Sequence, residues 1–510
     1  MRVLQTLRSG LAVSVALLGA AVAAAAVPPT ERAKTDGFAV LTVVHNGGLP
    51  YSHVTVERME DGRNADLAGG GAFGQQRVDD SAKYAGWLHP GTYRFLRLTS
   101  STSNGLVTST GTLDLEALQL PTFTVEAGEM VDLGTWLQQP KGDRIALALL
   151  KDEFGHARGN LILAESVAGF PRPPTKWVGA EVWIRGPSAS ELLEASKRAT
   201  AVLGPPQFDE EGNAYFPSSL GQVLRRTPRG AWRHLDTGTL GTLSSLVIDG
   251  PNIYASSDHN QFLRSSDGGA TWAAAEVPIA ANVTGIARLP NGDFVAVTEA
   301  AFGKGTQLLR GPDLLALPPT PWTTLDTGGT PGYIARTAAI AGPVKDRLIV
   351  WADPRSLHVY DIANDRWTAS RAKRPLGQLN VNGKAGLFYA AGPTDADAVA
   401  AGIRLQDGVV SADGGATWQS MNLGRHNGVG FRDRSNGIAL VIDGAYKLKT
   451  VVETTSDGGV TWNQVETPVP GFCTAAQYLP PTDELVCVTW DGYIMTTRTG
   501  QEWTTERNGY

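Results

Sequence analysis

The side chains best placed to do chemistry are three aspartates set in one repeated pattern, Ser/Thr-x-Asp-Gly-Gly-x-Thr-Trp. The copies read Ser265–Trp272 (SSDGGATW), Ser411–Trp418 (SADGGATW) and Thr455–Trp462 (TSDGGVTW). Glycoside hydrolysis usually needs two carboxylates about 5–10 Å apart, and Asp267, Asp413 and Asp457 are tested against that chemistry first. Their context predicts a different use. An Asp just ahead of a Gly pair accepts hydrogen bonds from backbone N–H groups a residue or two on, closing an Asx-type turn. The pair ending in Gly269, Gly415 or Gly459 supplies positive φ without a Cβ penalty. Thr271-Trp272, Thr417-Trp418 and Thr461-Trp462 then open a strand, and each indole offers apolar surface to a neighbouring sheet. Carboxylates occupied in this way are poor catalysts.

Other chemistries find less support. The eight histidines are His45, His53, His89, His156, His234, His259, His358 and His426. They show no i, i+4 pair on a helix and no metal-ligand spacing. There is no Gly-x-Ser-x-Gly elbow and no Gly-x-x-x-x-Gly-Lys loop. Gly69–Gly74 matches Gly-x-Gly-x-x-Gly but lacks the strand–helix setting that a dinucleotide requires. Asp258-His259-Asn260 has only a fragment of a calcium loop. The sequence therefore nominates no catalytic residue, no metal and no cofactor.

The positioning elements follow from a rhythm of tryptophans. Trp232, Trp272, Trp322, Trp367, Trp418, Trp462 and Trp503 stand at intervals of 40, 50, 45, 51, 44 and 41 residues. One large aromatic and one tight turn per 40–50 residues is the signature of a propeller blade. Around Trp232, Trp322, Trp367 and Trp503 the turn pattern has decayed, with only Thr496, Gly500 and Trp503 surviving in the last. Turn signals such as Asp209–Asn213, Asp249–Asn252, Pro290–Gly292 and Asp433–Gly437 precede short apolar runs that read as second strands. The expectation is mostly β: a seven-bladed β-propeller over residues 205–510. Before it, 27–140 reads as a β-sandwich-like domain, whose runs Trp87–Tyr93 and Phe123–Gly134 loosely resemble prealbumin-like modules, and 141–204 as a mixed connector. The connector holds Ile145–Leu150 and Val178–Ile184 as strands and a stiff Pro171–Pro174 bend. Its one helix is predicted from Ser190 to about Val202, opened by a capping box at Ser188–Glu191.

Bulk composition narrows the classes further. The chain has 510 residues, 42% hydrophobic, with 59 Gly and 30 Pro spread through it, as a turn-rich globular protein would. Forty-four basic against 50 acidic residues give a net charge of −6, which argues against nucleic acid as a partner. Arg2, Arg8, the apolar Gly10–Val22 and the small residues Ala23–Ala26 read as a signal peptide over 1–26. An uncleaved anchor is the competing reading, because Gly10–Val27 approaches the length of a span. Cleavage would leave an exported monomer, periplasmic or secreted, with no membrane span. Cys473 and Cys487 fall on two runs, Gly471–Leu479 and Glu484–Thr489, expected to pair as a hairpin. In an oxidising compartment they are expected to form a disulfide.

On the three repeats, the chain resembles the Asp-box (BNR-repeat) proteins. In that family the box joins the third and fourth strands of a blade and carries no catalytic residue. Boxes also occur in sialidases and polysaccharide hydrolases, so the resemblance keeps a glycoside hydrolase as the alternative. The sialidase Arg-Ile-Pro is missing; Trp183–Pro187 and Phe170–Pro173 do not match it. Short blades and the run Val429–Ala439 resemble the photosystem II assembly-factor group. That likeness implies a non-enzymatic binding or assembly module with a protein or carbohydrate ligand. Sortilin-like receptors use the same boxes on a larger, membrane-anchored propeller.

Overall fold

The computed structural model describes residues 33–45, 53–69, 82–103, 108–116, 120–141, 144–150, 175–176, 189–200, 204–257, 260–279, 281–300, 306–325, 339–344, 346–351, 356–371, 379–382, 384–390, 407–413, 415–422, 426–443, 449–465, 469, 473–489 and 492–507. The 1–26 leader, residues 70–74, Pro171–Pro174, Val178–Ile184, Ser188, Asp258 and His259 lie outside these.

Seven four-stranded antiparallel sheets succeed one another along the chain, each a simple meander. Numbered as blades 1 to 7, they span residues 207–236, 243–276, 281–325, 339–371, 379–422, 426–465 and 473–507. Second strands such as Asn252–Ser257 and Glu484–Thr489 are buried on both faces beyond their first residue, which explains their unbroken small and apolar composition. Fourth strands such as Ala273–Glu276 and Gln419–Asn422 are mostly exposed.

Each blade packs on the next. Tyr215 and Leu235 of blade 1 meet Leu246 and Leu263 of blade 2, and Tyr254 and Phe262 meet Phe294 and Leu309 of blade 3. Val297 and Leu308 meet Leu348 and Tyr360 of blade 4. Tyr389 and Val410 of blade 5 meet Val429 and Phe431, and Leu440 and Val452 of blade 6 meet Leu485 and Cys487. Between blades 4 and 5 the backbone at Gly415 lies against Ile349. Finally Phe216 and Leu224 of blade 1 pack with Val486 and Ile494 of blade 7. The last sheet thus returns to the first, and the chain folds as a β-propeller.

Blade tryptophans fill these joints, with one departure from the expected rhythm. Trp272, Trp367, Trp462 and Trp503 pack at the joint with the preceding blade. Trp322 instead packs forward, against Tyr360 and Trp367 of blade 4. A one-turn 3₁₀ helix, Leu314–Ala316, replaces the tight turn in blade 3. Its Leu314, with Leu317, fills the joint to blade 2 in the indole's place.

Ahead of the propeller lies one continuous ten-stranded sheet. Its order is Thr175–Lys176, Met130–Lys141, Gly37–His45, Ala82–Leu88, Asn64–Gly69, His53–Arg58, Gly91–Ser103, Thr108–Asp114. Phe123–Val125 pairs with Gly91–Ser103, and Arg144–Leu150 with Met130–Lys141. The sheet wraps one core in which Leu41, Tyr84, Phe95, Phe123 and Trp136 meet, so the sandwich-like unit is a single sheet folded over itself. Gly37–His45 is buried on both sides: Leu41 and Val43 face that core, while Phe38 and Val40 join Met130 in another cluster. The helix α1 covers Ala189–Ala199, ending short of the predicted Val202. It tightens at its end, where the Thr200 N–H donates to the Lys197 carbonyl at 3.3 Å, before Gly204-Pro205-Pro206.

Candidate functional site

The three repeats sit between the third and fourth strands of blades 2, 5 and 6. In the first, Asp267 Oδ1 accepts from Ser265 Oγ at 2.8 Å, Ala270 N at 3.0 Å and Thr271 N at 2.9 Å, and Oδ2 accepts from Thr271 Oγ1 at 2.6 Å. Ser265 Oγ accepts in turn from Gly269 N at 2.8 Å. Asp457 repeats this set with Thr455, Val460 and Thr461. Asp413 accepts from Ser411 Oγ and from both donors of Thr417. The Thr side chain and backbone bonds hold Asp267 and Asp457 down to about 2. Partial burial opposes the same effect at Asp413, yet its bonds from Thr417 and Ser411 still lower it. A carboxylate with this many donors stays ionised at neutral pH and has no proton to give.

These turns are also contacts between blades. Gly269 has φ +92°, and a Cβ there would stand 2.7 Å from Leu235 Cδ1 of blade 1. The corresponding distances are 2.8 Å from Gly415 to Ile349 Cδ1 and 3.2 Å from Gly459 to Met421. The same glycine's carbonyl accepts the indole N–H, at 3.2 Å for Trp272, 3.0 Å for Trp418 and 3.2 Å for Trp462. The decayed turn of blade 7 keeps half of this. Gly500 N donates to Thr497 Oγ1 at 2.8 Å, and its Cβ position would be 2.6 Å from Val452 Cγ1. Trp503 Nε1, however, has no partner among the described residues.

Between blades 7 and 1 a charged clasp replaces the turn chemistry. Arg226 is 2% exposed, and Glu506 is 9% exposed. Arg226 Nε donates to Glu506 Oε2 at 2.7 Å, and Nη2 donates to Glu506 Oε1 and, at 2.8 Å, to Glu484 Oε2. Trp232 Nε1 donates to Glu506 Oε2 at 2.9 Å. Burial works against the Arg226 charge, but the two carboxylates outweigh it and raise its pKa. His234, on the outer strand of blade 1 with Trp232, is pushed down to about 4 by burial and by Arg507 of blade 7. Sequence reasoning missed this clasp, since Arg226 and Glu506 are 280 residues apart and no spacing links them.

Further ion pairs cross between blades on the side carrying the repeats. Gly268 N donates to Pro251 O and Gly458 N to Ser435 O, so first–second strand loops share an end with the repeats. There Arg288 pairs with Asp249 of blade 2, and Arg432 with Asp483 of blade 7. Arg310 lies 4.9 Å over the Trp322 ring and pairs with Asp293. Cys473 and Cys487 are joined as expected, with Cα atoms 5.8 Å apart, inside blade 7. Cys473 N also donates to Thr450 Oγ1 of blade 6 at 2.8 Å. Among the described residues no group of three or more His, Cys, Asp or Glu is arranged to hold a metal ion. No helix among them is long and apolar enough to cross a membrane.

Among the solved structures similar to this chain are a GH74 enzyme and two structures of YCF48. A GH74 enzyme of Niastella koreensis is 16% identical, with a TM-score of 0.41 over 60% of this chain and 54% of that one. The chain thus spans about half that enzyme's length. YCF48 from Cyanidioschyzon merolae is 15% identical, with a TM-score of 0.40 over 56% and 92%. A structure of YCF48 bound to D1 peptide is 13% identical, with a TM-score of 0.42 over 59% and 93%. No family model and no curated protein matches the chain. The propeller assignment stands on sheet order and on the return of blade 7 to blade 1.

Proposed function

We propose that the chain is an exported binding or assembly module whose propeller presents its loops to a protein or carbohydrate ligand without doing chemistry. The observation carrying this reading is how the repeats use their acids. Asp267, Asp413 and Asp457 each spend their lone pairs on donors of their own turn, and all three are held below the usual carboxylate range. They act as Asp-box staples that brace a rigid disc, and rigid discs with loop-lined faces suit recognition. The buried Cys473–Cys487 bond suits an oxidising compartment, in keeping with removal of 1–26 on export. We take 205–510 as the propeller unit and assign Arg144–Leu150 and Thr175–Lys176, expected in the 141–204 connector, to the N-terminal sheet in which they pair; we take the chain as a monomer, which sedimentation would check.

The deciding experiment has two arms on one preparation. Immobilised chain retaining a defined partner from periplasmic extract, released by excess free chain, supports the binder. Turnover of any fluorogenic sialoside or glucan oligosaccharide by the same material replaces this reading with the hydrolase.

A further inference from the structure

α1 stands where three parts of the molecule meet. Leu192 and Leu193 pack with Leu137 and Leu150 of the N-terminal sheet, with Leu220 of blade 1 and with Leu240 in the link from blade 1 to blade 2. The C-terminal end of the helix then reaches both sides of the joint between blades 7 and 1. Lys197, 8% exposed, donates from Nζ to Asp236 Oδ2 at 2.8 Å, on the outer strand of blade 1. From the outer strand of blade 7, Arg507 Nη1 donates to the Thr200 carbonyl at 2.8 Å and Nη2 to the Arg198 carbonyl. Carbonyls at a helix C-terminus lack intrahelical partners and carry partial negative charge, so a guanidinium fork is matched to them in charge and geometry. Inside the joint the Arg226 clasp provides a second, separate fastening.

We propose that α1 is a latch across this joint, making closure of the propeller and docking of the N-terminal sheet one cooperative event. Blade 1 holds the latch through a lysine and blade 7 through an arginine. Releasing the helix therefore removes one fastening from both outer strands together and leaves them on the Arg226 and Trp232 bonds to Glu506, while joints elsewhere in the ring keep all of theirs. By linkage, docking of the N-terminal sheet and closure of the ring must favour each other by one and the same coupling free energy.

Native-state hydrogen exchange on the full chain tests this, comparing wild type with Lys197→Met, Arg507→Gln and Arg507→Lys. The latch predicts that exchange rises about tenfold or more in Ala189–Ala199, Trp232–Asp236 and Thr504–Arg507 together. Blade 3 strands Phe294–Ala300 and Thr306–Gly311 should keep wild-type rates. Arg507→Lys keeps the charge but not the fork, so its effect should fall between wild type and Arg507→Gln. Should Arg507→Gln not fold, Lys197→Met alone must show the same pattern. The proposal is overturned if the helix loosens while both outer strands keep their protection, or if all blades loosen equally.

Discussion

Two joints of the same ring, each packed on an apolar cluster, are fastened by different means. Between blades 1 and 2, a neutral backbone contact is added: Gly269 lies against Leu235, and Trp272 bonds to the Gly269 carbonyl. Between blades 7 and 1, Gly230 makes the same approach, but to Glu506, 2.8 Å from its Cβ position, and Trp232 bonds to that carboxylate. Arg226 then neutralises the acid from inside. The repeat joint is self-sufficient, because each turn satisfies its own acid before touching its neighbour. The closing joint depends on residues from the two ends of the propeller sequence, so its strength exists only when both are in place.

The largest effect should come from splitting the clasp. Arg226→Met leaves Glu484 and Glu506 without their buried cation, and should cost about 3–5 kcal/mol in denaturant unfolding. An effect below about 1 kcal/mol would mean the joint is held by its apolar contacts alone. Next is Gly269→Ala, which combines a positive φ with a clash on Leu235 and should cost about 2 kcal/mol. Gly268→Ala has φ +72° but nothing within 4 Å. It should cost about half as much, and the difference measures the blade contact. Smaller again, Trp272→Phe should cost about 1 kcal/mol more than Trp503→Phe, because only the first loses a hydrogen bond.

Acid should separate the two joints at the least cost in stability near neutrality. His234, at about 4 in the fold against 6.5 unfolded, favours the folded state in its neutral form. Its contribution is complete above 6.5 and is lost as pH falls through 4. Asp267 and Asp457, at about 2 against 3.8, contribute above 3.8 and lose that contribution only as pH falls towards 2. Hydrogen exchange should therefore loosen Trp232–Asp236 at a higher pH than Ala273–Glu276. His234→Gln should remove the earlier step and leave the later one.

What the sequence revealed and what it hid divide along the same line. Ser265–Trp272 and its two copies were legible because their chemistry is local: every donor to Asp267 lies within four residues. The hairpin holding Cys473 and Cys487 was legible from turn signals between alternating runs. Arg226, Glu484 and Glu506 were not, since side chains that meet by closing a ring leave no periodic trace. Trp322 had the right spacing but the wrong neighbour, because Leu314 and Leu317 had already filled the joint behind it. In the N-terminal sheet, strand runs were readable, whereas the parallel pairing of Gly37–His45 with Met130–Lys141 joins strands far apart in the chain.

The Glu506 clasp also sets an order of events as the chain emerges N-terminus first into the compartment where it folds. Blades 2 to 7 can each stack on the blade made before them, but Trp232 and Arg226 of blade 1 must wait, half of their contacts missing, until some 280 further residues have emerged. During that interval the nascent disc exposes an apolar edge at Phe216 and Leu224, the surface on which a chaperone would be expected to sit.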